Sequence, residues 1–295
     1  MDSLHDELQF ACDLAREAGA LARQYFWRWH DPKRLSTEEV VGVVPVEFKA
    51  EDDPVTEADH AVNTMCVNGL RARFPDDAVL SEELPDDGAR RRARRTWLVD
   101  PIDGTKDFIA GRPGFSVMIG LLVAGAPALG VVYQPLGDRL WYATIGHGAF
   151  GRAGDGPPSR LQVSTVSVLS EARMVSSASH PDPMVAEVRV RSGIQDELQI
   201  GSVGIKLSLV AEGVRDLYIN PAGRTKLWDT GAPEIILREA GGQLSDLFGG
   251  TLEYSGEELG NLHGLVGSNG LLHEAALVQL QPLVAALRTR GGKKS

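Results

Sequence analysis

Between Gly114 and Gly137 the chain reads GFSVMIGLLVAGAPALGVVYQPLG, a stretch without a single charged side chain. Its length approaches that of a membrane-spanning helix, but Gly125, Ala126 and Pro127 interrupt it, and β-branched residues flank the break. The pattern predicts two buried strands joined by a tight turn rather than a membrane span. Short apolar runs at 78–80, 97–99 and 139–144 have the same character, so the middle of the chain reads as sheet.

Helical periodicity frames that sheet. Leu4, Leu8, Cys12, Ala15, Ala18, Ala22 and Phe26 recur at helical spacing, and Ala58, Ala61, Val62, Met65, Cys66 and Leu70 mark a second helix ending near Phe74-Pro75. Residues 30–53 read as a loop with one short strand at 41–48; the Gly and Pro content of 30–48, with Lys49 beyond, suggests a mobile flap. The segment RAGDGPPSR at 152–160 reads as a linker. Past it, strand-like and helix-like units alternate: strands at 172–177, 215–219 and 263–267, helices at 183–191, 205–213 and 229–240. No internal repeat is evident. The tail RTRGGKKS reads as disordered.

Charge narrows the function. At 295 residues with 43% hydrophobic content the chain is long enough for one large domain or two moderate ones. Its net charge of −10 disfavours broad attraction to nucleic acid or to anionic lipid. An anionic substrate would therefore need local help, for which bound cations are the obvious source. The arginine run RRRARR at 90–95 follows EELPDD and reads as a solvated face. Cys12 and Cys66 fall at apolar helical positions and read as buried free thiols in a reducing compartment; the N-terminus has neither the basic nor the apolar region of an export signal, so a cytoplasmic location is expected.

The chemistry concentrates in WLVDPIDGTKDF, residues 97–108. A buried strand ending in Asp100 delivers a carboxylate to a sheet edge, and Pro101 is expected to stiffen a turn that points Asp103 back to the same volume. Two carboxylates that close repel unless a cation lies between them, and oxygen-only ligands suit Mg²⁺. Gly104 lets the backbone approach an anion, and the N–H groups of Gly104 and Thr105 can hold phosphate oxygens if a short helix starts there. Three further segments offer partners: Glu82-Glu83 after an apolar run, Asp59 in PVTEAD, where Thr56 and Asp59 also fit a capping box, and Asp229 in LWDTGAPEIILREAGG, where an N-cap is the plainer reading.

Taken in order, DPVTEAD, SEE, WLVDPIDGT and WDTGAPEIILREAGG resemble the inositol monophosphatase superfamily of metal-dependent, lithium-sensitive phosphatases. The resemblance implies an α/β protein built as a five-layered α-β-α-β-α sandwich. It also implies two or three Mg²⁺ ions per site, bound by Glu82, Asp100, the Ile102 carbonyl, Asp103 and Asp229, with Asp59 and Thr105 positioning or deprotonating the attacking water. On this view residues 1–151 form an N-terminal α+β part carrying the metal-site loops, and residues 161–295 an α/β part completing the substrate pocket.

Within the superfamily, DGTKDF, SSASH at 176–180 and GSVGIK at 201–206 are most similar to the 3'(2'),5'-bisphosphate nucleotidases. That similarity implies that Gly104, Thr105 and Asp229 contact substrate, that Ser177, His180, Ser202 and Lys206 line a nucleotide pocket, and that 3'-phosphoadenosine 5'-phosphate is converted to AMP, a reaction of sulfur metabolism. The other esters considered are inositol 1-phosphate, histidinol phosphate and fructose 1,6-bisphosphate; a non-catalytic phosphate- or metal-binding regulator is the alternative of another class. The expected partner is a small phosphate ester, with no nucleic acid and no membrane, for a monomer or homodimer.

Overall fold

The computed structural model describes residues 4–30, 47–48, 54–55 and 57–291. In chain order the elements are α1 (His5–His30), β1 (Glu47–Phe48), β2 (Pro54–Val55), α2 (Glu57–Arg73), β3 (Ala78–Ser81), β4 (Arg95–Asp103), α3 (Thr105–Ile109), β5 (Ser116–Val123), β6 (Ala126–Gln134), β7 (Arg139–Thr144), β8 (Gly148–Ala153) and β9 (Ser159–Arg160). The second half adds β10 (Arg173–Ser177), α4 (Pro183–Ser192), β11 (Asp196–Ile200), α5 (Val203–Ala211), β12 (Leu217–Asn220), α6 (Leu227–Glu239), β13 (Gln243–Ser245), β14 (Leu265–Ser268) and α7 (His273–Gly291).

Two sheets result. The first has seven strands in the order β3 to β9; the second has five, in the order β11-β10-β12-β14-β13. Every side chain of β5 from Ser116 to Leu122 and of β6 from Pro127 to Tyr133 is buried, as the charge-free run predicts. A strand apolar on both faces must be covered on both. Val117, Ile119, Leu121 and Val131 face α1 and α2, packing on Ala15, Ala18, Val62 and Cys66. Met118 and Val132 face the other way, into a core shared with Leu207 of α5, Ile235 of α6, and Val175 and Tyr218 of the second sheet. Met174, Leu217 and Val266 on the far face of that second sheet pack on Val185 of α4 and Leu280 of α7. The succession is helices, sheet, helices, sheet, helices: the expected α/β five-layered sandwich.

Several details differ from the sequence reading. The linker at 152–160 instead carries the end of β8 and all of β9, paired through Phe150 with Arg160 and Gly151 with Ser159. Its Gly and Pro residues form a hairpin at the sheet edge. The arginine run is not wholly a solvated face: Arg90 is buried and donates to the carbonyls of Gly256 and Glu257, and Arg95 pairs with Asp77 and Glu7. Strands β8, β11 and β13 and helix α7 carry no strong period in sequence and join the predicted elements. Cys12 and Cys66 are buried free thiols, each pushed up to about 12 by burial. The flap at 30–48 and Thr56 of the capping box lie almost wholly outside the described residues, as does the end of the C-terminal tail, whose residues 288–291 belong to α7. Among the described residues no helix is long and apolar enough to cross a membrane.

Candidate active site

Asp100 and Asp103 both lie in β4, which continues through the turn expected at Pro101. In an undisturbed strand, side chains three apart point to opposite faces. Here Asp100 pairs with Met118 and Asp103 with Ser116, so three steps on β4 oppose two on β5. The resulting bulge turns both carboxylates to one side, which is how a period-two element supplies two neighbouring acids. Pro101 suits this position, because it donates no hydrogen bond to the ladder.

Asp229 arrives from the other half of the chain. It is the third residue of α6, where its Oδ2 accepts from the Lys226 N–H at 2.5 Å; Lys226, not Asp229, is the N-cap. One carboxylate oxygen from each of Asp100, Asp103 and Asp229 lies within 4.8 Å of the others. Glu82, beside β4 through its N–H bond to the Val99 carbonyl, is outside that triplet but close enough for its charge to act on Asp100 and Asp229.

Burial and mutual repulsion then dominate the electrostatics. Asp100 is raised well above the usual carboxylate range, first by burial, then by the charges of Glu82, Asp103 and Asp229. Asp229 is pushed up to about 8 by burial, Asp103 and Glu82. Asp103 is raised by burial, but less freely, since the Ser202 hydroxyl, the Gly204 amide and the Lys206 ammonium oppose the shift. Asp100 Oδ1 is buried without a hydrogen-bond partner among the described residues. Unsatisfied buried carboxylate oxygens are costly in isolation, and an all-oxygen donor set with excess negative charge fits a hard divalent cation such as Mg²⁺.

The flanking groups are also ordered. Gly104 caps α3 with φ +94°, and a Cβ there would lie 2.6 Å from the Gly114 carbonyl oxygen, so glycine is required. Thr105 Oγ1 donates to the Ile102 carbonyl at 3.0 Å, which leaves lone pairs on both oxygens. Asp59 is buried in the first turn of α2 at 2% exposure. His60 and Glu83 pair at 3.5 Å, and Ser81 Oγ donates to Asn63 Oδ1, so α2 is fastened to the segment that carries Glu82.

The residues assigned to a nucleotide pocket divide into two groups. Ser177 is half-buried and accepts from the His180 N–H at 3.2 Å, while His180 is exposed and its Nε2 lies 2.8 Å from Lys106 Nζ. Lys106 was noticed in sequence only as a marker of one branch. Ser202 and Lys206 lie elsewhere, in the interior, at 0% and 1% exposure. The Lys206 Nζ donates to the carbonyls of Ile200 and Gly201, at 3.2 and 2.7 Å. Asp107, which shares the branch-marking DGTKDF with Lys106, is buried and accepts from the Gly201 N–H and from Arg112. Gly114 packs so tightly on Asp107 that a Cβ would fall 1.9 Å from its Oδ2.

Comparison with known proteins places this arrangement. A sequence profile of the Inositol monophosphatase family matches residues 3–289. A histidinol-phosphatase of Mycobacterium tuberculosis is 35% identical, over 94% of this chain and 98% of its own. The 3'(2'),5'-bisphosphate nucleotidase CysQ of Salmonella typhimurium is 38% identical, over 85% of this chain and 95% of its own. Among solved structures, an IMPase of Thermotoga maritima superposes with a TM-score of 0.77 at 26% identity, covering 95% of this chain and 99% of that one. With fold, carboxylate cluster and sequence in agreement, the chain belongs to the inositol monophosphatase family.

Proposed function

We propose that the protein is a Mg²⁺-dependent phosphomonoesterase acting on a nucleoside bisphosphate, with release of the 3'-phosphate of 3'-phosphoadenosine 5'-phosphate as its reaction. Glu82, Asp100, Asp103, Asp229 and the Ile102 carbonyl would hold two or three metal ions. When bound, such ions supply Lewis-acid charge to the phosphoryl oxygens and lower the pKa of a coordinated water. The chain's own residues do the rest. Asp59, buried and acidic, accepts a proton from the attacking water, and Thr105, whose hydrogen is committed to the Ile102 carbonyl, offers that water an acceptor lone pair. The N–H groups of Gly104 and Thr105 receive phosphate oxygens, and no covalent intermediate is needed. Residues 1–151 and 161–295 act as two parts of one unit, each contributing acids to the cluster.

The observation that carries the choice of ester is the contact between Lys106 and His180. Two basic side chains meet beside the helix that follows Asp103, with Ser177 fixing the backbone of one of them. A second phosphate on the substrate satisfies such a pair, whereas the ammonium group of histidinol phosphate is repelled by it. The Salmonella typhimurium relative, named for 3'(2'),5'-bisphosphate cleavage, supports the same choice. Histidinol phosphate remains the second reading, favoured by the longer match to the Mycobacterium tuberculosis protein.

The test is phosphate release with Mg²⁺, with and without Li⁺, from 3'-phosphoadenosine 5'-phosphate, histidinol phosphate, inositol 1-phosphate and fructose 1,6-bisphosphate. The nucleotide is expected to have the highest kcat/KM. Lys106→Met should raise its KM by about tenfold, the worth of one charge-assisted hydrogen bond, and leave inositol 1-phosphate unaffected. Preference for histidinol phosphate, or an equal loss on every ester, would overturn the assignment.

A further inference from the structure

We propose that Ser202 is a positioning residue for the metal centre: its hydroxyl, clamped by Ser116 and by the first turn of α5, fixes the rotation of the Asp103 carboxylate. The inference rests on the metal-phosphatase reading above and concerns a buried side chain whose hydroxyl donates to Asp103, the residue that would hold the metal.

The hydrogen-bond inventory leaves little freedom. A serine hydroxyl has one proton to give and two lone pairs to receive with. Ser202 caps α5, so one lone pair accepts the Ile205 N–H at 2.9 Å. The single proton goes to Asp103 Oδ2 at 2.5 Å, because an ionised carboxylate only accepts. Ser116 Oγ, 2.9 Å away, must then be the donor to the remaining lone pair. Every valence of the hydroxyl is used, and both serines are fully buried, so water does not compete. The Gly204 N–H adds a second donor to the same Oδ2, at 2.8 Å. With Oδ2 saturated, Oδ1 is the oxygen left for a cation.

The backbone around Ser202 is tied just as completely. Its own N–H donates to the Gly114 carbonyl at 2.9 Å, the Gly201 N–H is taken by Asp107 Oδ2 at 2.8 Å, and the carbonyls of Ile200 and Gly201 receive the Lys206 ammonium. Lys206 and Asp107 therefore brace the segment that carries Ser202. Gly204 packs closely on the first sheet, where a Cβ would lie 2.3 Å from Met118 Sδ and 3.1 Å from Val132 Cγ1. Asp103 comes from the first sheet and Ser202 from the second half of the chain, so the contact sets the distance between ligands contributed by the two.

Removing such a partner weakens metal binding by roughly 10–100-fold in comparable sites. The experiment is Mn²⁺ titration of the full-length apoprotein followed by electron paramagnetic resonance, with thermal unfolding of each apoprotein in parallel. Ser202→Ala is expected to raise the Mn²⁺ dissociation constant about tenfold. Ser116→Ala, which leaves the α5 cap intact, should raise it less, by about threefold, and keeps the test available should S202A fold poorly. Asp182→Ala removes the comparable cap of α4, where Asp182 accepts from the Met184 N–H, and should lower the melting temperature while leaving the Mn²⁺ constant unchanged. Equal constants for wild type, S202A and S116A would overturn this inference alone, as would equal weakening by D182A. A wild-type protein that holds no Mn²⁺ would overturn the metal-centre reading and this inference with it.

Discussion

Replacing Asp229 by Asn should make the metal-free protein more stable, and the size of the gain follows from the site. In the folded chain Asp229 is pushed up to about 8 from an ordinary 3.8, by burial, then by Asp103 and Glu82. The folded state therefore binds more protons than the unfolded state across that window, and stability falls as pH rises from 3.8 towards 8. At pH 7 the span above the unfolded value corresponds to about 4 kcal/mol, at 1.36 kcal/mol per unit. The half-buried carboxylate retains some solvent, which discounts that figure to about 2 kcal/mol as the net expectation. Asn preserves the shape and can still accept from the Lys226 N–H.

The assay is urea denaturation in chelator at pH 7 and at pH 4, followed by tryptophan fluorescence. The variant should gain about 2 kcal/mol at pH 7, roughly 4–8 °C in melting temperature, and nothing at pH 4, where Asp229 is protonated in the folded wild type. Saturating Mg²⁺ should reverse the order, because only the wild type retains the full ligand set. A gain of equal size at both pH values, or none at pH 7, would refute the reasoning that the acids repel one another across a shared cation site.

Two further substitutions test how the fold carries the site. Gly130→Ala on β6 places a Cβ 2.1 Å from the Ala232 carbonyl oxygen and 2.6 Å from Ile235 Cγ2, both in α6; a stability loss of about 1–3 kcal/mol by urea denaturation should accompany weaker Mn²⁺ binding, since α6 carries Asp229. Arg90→Ala removes a buried guanidinium that bonds Asp86 and the carbonyls of Gly256 and Glu257; about 3 kcal/mol should be lost and residues 252–260 should become sensitive to protease, and a loss below about 0.5 kcal/mol would show the clamp to be idle.

Much of this was legible in the sequence where side chains repeat with a period. The charge-free run from Gly114 to Gly137 gives β5 and β6, the spacing of Ala15, Ala18 and Ala22 gives α1, and the acids at the end of an apolar run mark the site. Short elements with mixed composition did not declare themselves: β11 reads DELQI and β13 only QLS. The bulge at Pro101-Ile102 was misread as a turn, because a proline after an apolar run signals either, and only the register with β5 separates them. The distant contacts of Ser116, Asp107 and Arg90 are illegible in sequence for a different reason. Their partners lie 86, 94 and 166 residues away in the chain, and no local pattern encodes a contact of that range.

The two halves of the chain solve one electrostatic problem from opposite sides. Strand β4 brings Asp100 and Asp103 to a place where neither is comfortable as an anion. Helix α5 then starts at Val203, with its cap hydroxyl and the Gly204 amide on Asp103, and α6 starts at Leu227, with Asp229 folded back onto the Lys226 amide. Both are helix N-termini, where unsatisfied N–H groups and the positive end of the helix dipole favour negative charge. These donors are fixed in direction, so they lower the energy of the carboxylates without moving to do it. They do not cancel the repulsion, since Asp100, Asp103 and Asp229 all remain raised. The residual excess of negative charge is what gives a divalent cation its affinity, and a site whose acids were fully satisfied by protein donors would hold its shape but lose its reason to bind metal.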